Sequence, residues 1–159
     1  TEAMEQALDE LMRSKSREGE LLSTDIQSRI LLIKGSLDKI EKLAPGNNQQ
    51  QLEKLKEKLN SVMGEIHHDE NRLLIEAGLL AERYDITEET VRMRSHLETF
   101  EKDLKKGGIL GKRLNFISQE MGRETNTIGS KCSNIDISKH VIDIKEELEK
   151  IREQIANIE

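Results

Sequence analysis

Apolar residues recur along this chain at intervals of three and four, the spacing that places side chains on one face of an α-helix. Leu22, Ile26, Ile30, Ile33, Leu37 and Ile40 form the first run, and Leu8, Leu11 and Met12 extend it towards the N-terminus. This stripe predicts one long helix over roughly residues 3–43. The only proline, Pro45, follows it and leads into Gly46, Asn47 and Asn48, a turn by backbone chemistry. Leu52, Leu55, Leu59, Val62 and Ile66 then repeat the pattern, so residues 1–66 read as an antiparallel coiled-coil hairpin.

Beyond Ile66 the runs shorten. Gly64 weakens the helix, and Asp69 is placed to cap a new one carrying Leu73, Leu74, Ala77 and Leu80. Thr87 can cap the next, whose buried stripe is Met93, Leu97, Phe100 and Leu104, and Gly107 and Gly108 permit a reversal after it. Leu110, Leu114, Ile117 and Met121 share the following face. The most regular segment closes the chain, with Ile137, Val141, Ile144, Leu148, Ile151, Ile155 and Ile158 in four-three spacing. So narrow a seam requires a partner helix, from this chain or from a second copy, and it predicts association through the C-terminal helix. The expected fold is all-α: a long antiparallel helical hairpin, then a small helical bundle and a long C-terminal heptad helix, the last two forming a helical domain over residues 67–159.

Composition agrees with this reading. Charged residues make up 35% and aromatics 2% of 159 residues, and there is no Trp, so the core must come from Leu, Ile, Met and Val. A single cysteine, Cys132, excludes an internal disulfide framework or a multi-cysteine zinc site and fits a reducing compartment. No apolar run reaches the roughly 18 residues that a membrane helix needs, and the N-terminus carries no signal-peptide pattern, so the expected location is the cytoplasm. The chain opens mid-helix without Met, which reads as a piece of something longer.

The net charge of −6 argues against a whole-surface nucleic-acid binder. One segment departs from the average. Between Lys105 and Lys131, six basic residues (Lys105, Lys106, Lys112, Arg113, Arg123, Lys131) face two acidic ones, Glu120 and Glu124. The same segment, RLNFISQEMGRETNTIGSK over residues 113–131, concentrates Gln, Glu, Arg, Asn, Thr and Ser in one stretch. On a helix, Arg113, Phe116, Glu120, Glu124, Thr127 and Lys131 fall within about 40° of one line. Two carboxylates a turn apart can share a divalent cation, and basic neighbours can hold a phosphate beside it. The alternative is a solvated face laced with ion pairs, for which Glu120 with Arg123 and Glu124 has the spacing. His96 can serve as an acid or base near neutral pH, or as a hydrogen-bonded interface histidine. His67, His68 and Asp69 lack a distant fourth ligand and are a weak metal site. Asp85, Glu88, Glu89 and Arg92 sit at a helix start, where acidic groups favour the macrodipole.

The string GKRLNFISQEMGRETNTIGSK, followed by a long helix ending EKIREQIANIE, resembles the C-terminal half of the YicC family of bacterial endoribonucleases. The family's recurring pattern is close to G-R-x-L-D-F-x-x-Q-E-x-N-R-E-x-N-T-x-x-S-K. The likeness extends upstream through RLLIEAGLLAERYDITEETVRMRSHLETF, where Glu76 matches a family position, to ALDELMRSKSREGE near the N-terminus. It implies a cytoplasmic ribonuclease that cuts single-stranded RNA internally with a divalent metal, manganese or magnesium, and assembles as a ring-like homo-oligomer; no DNA or membrane partner is expected. It also implies a further N-terminal domain in family members, with this chain as the helical C-terminal part. Gln119, Glu120, Arg123, Glu124, Asn126, Thr127, Ser130 and Lys131 match the pattern position by position. Asn115 stands where the family usually has Asp, and Gly122 where it usually has Asn; helical projection turns Asn115 well away from Glu120, towards a packing or inter-helix role.

The resemblance and the residues together name Glu120, Arg123, Glu124 and His96 as candidate catalytic groups, with Glu120 and Glu124 as metal ligands. Lys112, Arg113, Gln119, Asn126, Ser130 and Lys131 are the candidate RNA contacts, the cations holding phosphates without reading bases. A metal-free alternative uses the RNA's own 2′-hydroxyl with His96 as base. Two non-catalytic alternatives are a helical oligomerisation scaffold and an RNA-binding adaptor for other nucleases. Whether the polar side chains of residues 113–131 line an open cavity or are consumed between helices discriminates among them.

Overall fold

The structure, a computed structural model, describes residues 2–63, 70–106 and 111–156. They form five helices and, among the described residues, no strand: α1 (Glu2–Met63), α2 (Glu70–Tyr84), α3 (Thr87–Lys106), α4 (Gly111–Lys131) and α5 (Ile135–Ala156). The all-α expectation is borne out. His67, His68, Asp69 and the Gly107–Gly108 reversal lie outside the described residues.

The turn expected at Pro45 is not made. α1 runs unbroken for 62 residues with Pro45 inside it, so the two stripes read as a hairpin belong to one helix. An internal proline removes one backbone hydrogen bond and costs about 3 kcal/mol. Packing on both sides of it offsets that cost. Ile40 and Asn47 are buried, Leu43 and Ala44 pack against the core, and the Gln51 side chain donates to Ser133 just before α5. Most helix stability in proteins comes from such a packed face rather than from local propensity. Pro45→Ala is therefore expected to stabilise the protein by up to about 3 kcal/mol, read as a higher urea midpoint. A chain that turned at Pro45 would show no gain.

The middle of α1 joins α3, α4 and α5 in a four-helix bundle whose neighbours all run antiparallel. Cross-helix pairs give the register. Arg29 meets Glu147 at 3.0 Å between α1 and α5, and Lys34 meets Glu101 at 2.7 Å between α1 and α3. Arg94 forks onto Glu41 at 2.6 and 2.8 Å in the same α1–α3 interface. The expected stripes form the core: Ile26, Ile30, Ile33, Leu37 and Ile40 of α1, Met93, Leu97 and Phe100 of α3, Leu114, Ile117 and Met121 of α4, and Ile137 through Ile155 of α5. The α5 seam is thus filled by α1 and α4 of the same chain, the first of its two possible partners. Leu8, Leu11 and Met12, read as continuing the α1 stripe, are exposed. α2 packs against α1.

Local chemistry sets the helix starts. Thr87 is the first residue of α3 rather than its cap; Asp85 supplies the cap, its Oδ1 accepting from the Thr87 N–H at 2.9 Å and the Thr87 hydroxyl at 2.6 Å. The hydroxyl first, then the backbone N–H, hold the Asp85 carboxyl below its ordinary range. Asn134 caps α5, its Oδ1 accepting from the backbone of Asp136 at 2.8 Å.

Candidate functional site

α4 buries Leu114, Ile117, Met121, Thr125 and Ile128, which turns the polar motif outward and to both flanks. One flank meets α3 and the other meets α5.

On the α3 flank the charges are consumed in a ladder of ion pairs. Arg113 Nε lies 2.5 Å from the buried carboxylate of Asp103, Arg92 Nε lies 3.3 Å from Glu124, and Lys131 Nζ lies 2.9 Å from Glu89. Arg92 also approaches Glu88 at 3.3 Å, and Lys131 donates to the Asp85 carbonyl at 2.9 Å. Glu89 goes beyond the macrodipole role read for it: it is buried, and its Oε2 has no partner among the described residues. The helical line drawn from the sequence through Arg113, Glu124 and Lys131 is therefore the α3-facing seam. The register that sets Arg92 against Glu124 and Asp103 against Arg113 puts His96, half-buried on α3, opposite Glu120. Glu120 itself accepts from Arg123 Nη1 at 2.8 Å.

On the α5 flank the motif opens. Gln119, Arg123 and Asn126 of α4 face Lys145, Glu149 and Arg152 of α5 across a groove of about 460 Å³, with Gly122 in its wall. Arg152 crosses towards α4, donating from Nη2 to the Ser118 carbonyl at 3.1 Å and from Nη1 to Glu149. Sequence reasoning missed Lys145, Glu149 and Arg152, which read as ordinary charged filler beside the Leu148 stripe. Their only signal is their own four-three spacing on one flank of α5. Asp103 was missed for the same reason.

The remaining candidates occupy the outer ridge. Lys112, Phe116 and Ser130 are exposed, and so is Asn115. Asn115 lies on the same helical face as Gly122 and Asn126, the face that turns towards α5, and its side chain is exposed there. Among the described residues, then, one half of the motif is spent between helices and the other half lines an open groove.

Glu120 and Glu124 each already face an arginine, and among the described residues no three His, Cys, Asp or Glu side chains come together as metal ligands. Each keeps one carboxylate oxygen outside its ion pair.

Cys132 follows Lys131 at the end of α4 and is buried. Burial first, and then the negative charge of Glu89, push its thiol up to about 11, with Lys131 pulling the other way. It is a protonated, unreactive thiol at neutral pH. Iodoacetamide at pH 8 is expected to label the folded protein orders of magnitude more slowly than the urea-unfolded one, read by mass spectrometry. A folded pKa above the unfolded value of 9.0 means that its contribution to stability is complete below pH 9 and is lost as pH rises towards about 11.

Among the described residues, no helix is long and apolar enough to cross a membrane. The family described as "Endoribonuclease YicC-like, C-terminal" matches residues 40–159, a span that holds the middle of the bundle, both flanks of α4 and the groove. A protein of Clostridioides difficile (strain 630) named probable endoribonuclease YicC is 42% identical over 159 residues, covering 99% of this chain and 54% of its own length. A protein of Haemophilus influenzae with the same name is 36% identical over 157 residues, again covering 99% of this chain and 54% of its own length. The chain thus spans about half the length of these curated relatives. With its polar α4 motif and helices α2 to α5 inside the matched span, this chain belongs to the YicC-like endoribonuclease family and carries that family's C-terminal region.

Proposed function

We propose that this chain is the C-terminal part of a cytoplasmic endoribonuclease that cuts single-stranded RNA internally, with the RNA backbone running along the outer face of α4. The observation that supports this reading is the division of the motif: Gln119, Arg123 and Asn126 are left free to line a groove beside Glu120, while the pairs on the α3 flank keep α4 rigid. A pure registry device would have no reason to leave that half of the motif open. Lys112 and Ser130 on the ridge, with the exposed part of Arg113, extend the polar track towards both ends of the helix.

Glu120 and Glu124 are the acidic groups of the proposed centre, Arg123 the cation beside the scissile phosphate, and His96 the base. Manganese or magnesium belongs to the proposal as a cation brought in by the substrate. The position of His96 opposite Glu120 also favours a second chemistry that needs no cation. In it, His96 takes the proton of the RNA 2′-hydroxyl, the 2′-oxygen bonds to phosphorus, and the bond to the 5′-oxygen breaks, that oxygen taking a proton from water to leave a 5′-hydroxyl and a 2′,3′-cyclic phosphate. The homo-oligomer implied by the family is part of the same proposal, and sedimentation of the full-length protein tests it.

The deciding experiment gives highly purified full-length protein an end-labelled single-stranded RNA with manganese, beside matched DNA. Internal cuts in the RNA alone are the expected result. RNA binding without any cut would make the protein an adaptor, and neither binding nor cutting would leave a scaffold. A chelator and a substrate with 2′-deoxyribose at the cut site then separate the two chemistries.

A further inference from the structure

We propose that the α4–α5 groove seats the phosphates of a single-stranded RNA backbone, with Lys145 and Arg152 of α5 supplying the charge and Gly122 making room for the Arg152 guanidinium. The inference rests on the ribonuclease reading above and assigns to α5 a binding role that its heptad pattern does not suggest.

Charge is the first argument. Arg123, Lys145 and Arg152 line the groove against a single acid, Glu149. Glu149 is bonded to Arg152, and Arg123 reaches only Glu120, while Lys145 forms no ion pair among the described residues. The groove therefore carries net positive charge in a protein whose overall charge is −6. Such a local reversal of sign draws a polyanion to one face.

Donor chemistry is the second. A guanidinium has five N–H donors. Arg152 spends three, from Nε to the Ser118 hydroxyl at 3.4 Å, from Nη2 to the Ser118 carbonyl at 3.1 Å, and from Nη1 to Glu149. Those bonds fix the guanidinium while leaving two N–H groups for a ligand, an arrangement suited to phosphate oxygens. Gln119 and Asn126 add amide donors along the same wall, and no aromatic side chain lines it. Without a stacking platform the groove suits backbone rather than bases.

Gly122 is the third. A Cβ at this position would lie 2.7 Å from Arg152 Nη2, closer than such atoms approach. With no side chain at this position the guanidinium lies directly against α4, and a Cβ would make it shift.

The test measures binding of a fluorescent 2′-O-methyl oligouridylate, which cannot be cleaved through its 2′-oxygen, to the full-length protein by anisotropy across a salt series. Lys145→Gln and Arg152→Gln should each weaken binding and lower the log–log salt slope by about 0.7, the counterion release for one phosphate on a single strand. Gly122→Asn should weaken binding less than Arg152→Gln, because the arginine shifts away from the new Cβ but keeps its charge. Lys139→Gln, an exposed change on α5 away from the groove, should alter neither affinity nor slope. Arg152 also ties α5 to α4, so Lys145→Gln, which breaks no ion pair, decides the matter if the Arg152 variant fails to fold. Wild-type binding with an unchanged slope in Lys145→Gln overturns the seat and leaves the ribonuclease reading standing. No binding by the wild type overturns both.

Discussion

Glu120→Gln and His96→Ala are each expected to slow cleavage of single-stranded RNA by the full-length protein by about 10²–10⁴-fold, the usual contribution of a positioned acid–base or charge-stabilising group. Both positions lie beside the solvent face of α4 and outside the ion-pair ladder, so neither change removes a bond between helices. Glu124→Gln is a different experiment. Glu124 faces Arg92 across the α3 seam, and its loss leaves Arg92 with only Glu88 and Glu89 nearby. Its effect should appear partly as lower stability and partly as lower turnover. Comparing thermal midpoints with single-turnover rates separates the two. Full activity in Glu120→Gln, with or without manganese, would remove the carboxylate from the reaction. Full activity in His96→Ala would remove the metal-free chemistry.

Phe100→Ala should cost about 3–5 kcal/mol, the range for emptying an aromatic site in a packed core. Phe100 is completely buried on the α3 stripe with Met93 and Leu97. Small domains have only about 5–15 kcal/mol in total, so this one change should move the urea midpoint by a large fraction of its value. The control is Val91→Ala on the same helix: Val91 is 62% exposed, and its loss should stay within about 0.5 kcal/mol. Equal effects at the two sites would mean that α3 does not pack through the Met93–Leu97–Phe100 face.

The ladder between α3 and α4 gives these changes their meaning. Asp103 and Glu89 are buried carboxylates, each held by a cation from α4. Taking away one member of a buried pair costs more than the pair contributes, because the other charge is left in a low dielectric. Arg113 and Lys131, read from the sequence as phosphate contacts, are therefore poor places to probe RNA binding: their loss would disturb the fold that presents the groove. Lys145 and the outer ridge are the cleaner probes.

Periodicity alone carried the reading a long way. A face that repeats every three or four residues favours burial, and Ile26 through Ile40, Met93 through Phe100 and Ile137 through Ile155 are in the core where the spacing put them, whereas Leu8, Leu11 and Met12 on the same α1 stripe are exposed. The order of irregular polar residues in α4 was enough to name the family. Pro45 was misread because turn propensity is worth only a few kcal/mol, and the packing of Ile40, Leu43 and Ala44 on the core and the bond from Gln51 to Ser133 outweigh it. The split of the α4 motif was equally invisible. A helical projection shows which residues share a line, but which neighbouring helix covers that line depends on long-range packing. α3 took the arc of Glu124 and Lys131, and α5 left the arc of Gln119, Arg123 and Asn126 open. The charges lining that opening sit on a separate helix whose own pattern shows only a coiled-coil surface, and no local rule links Gly122 to Arg152 until folding brings them together.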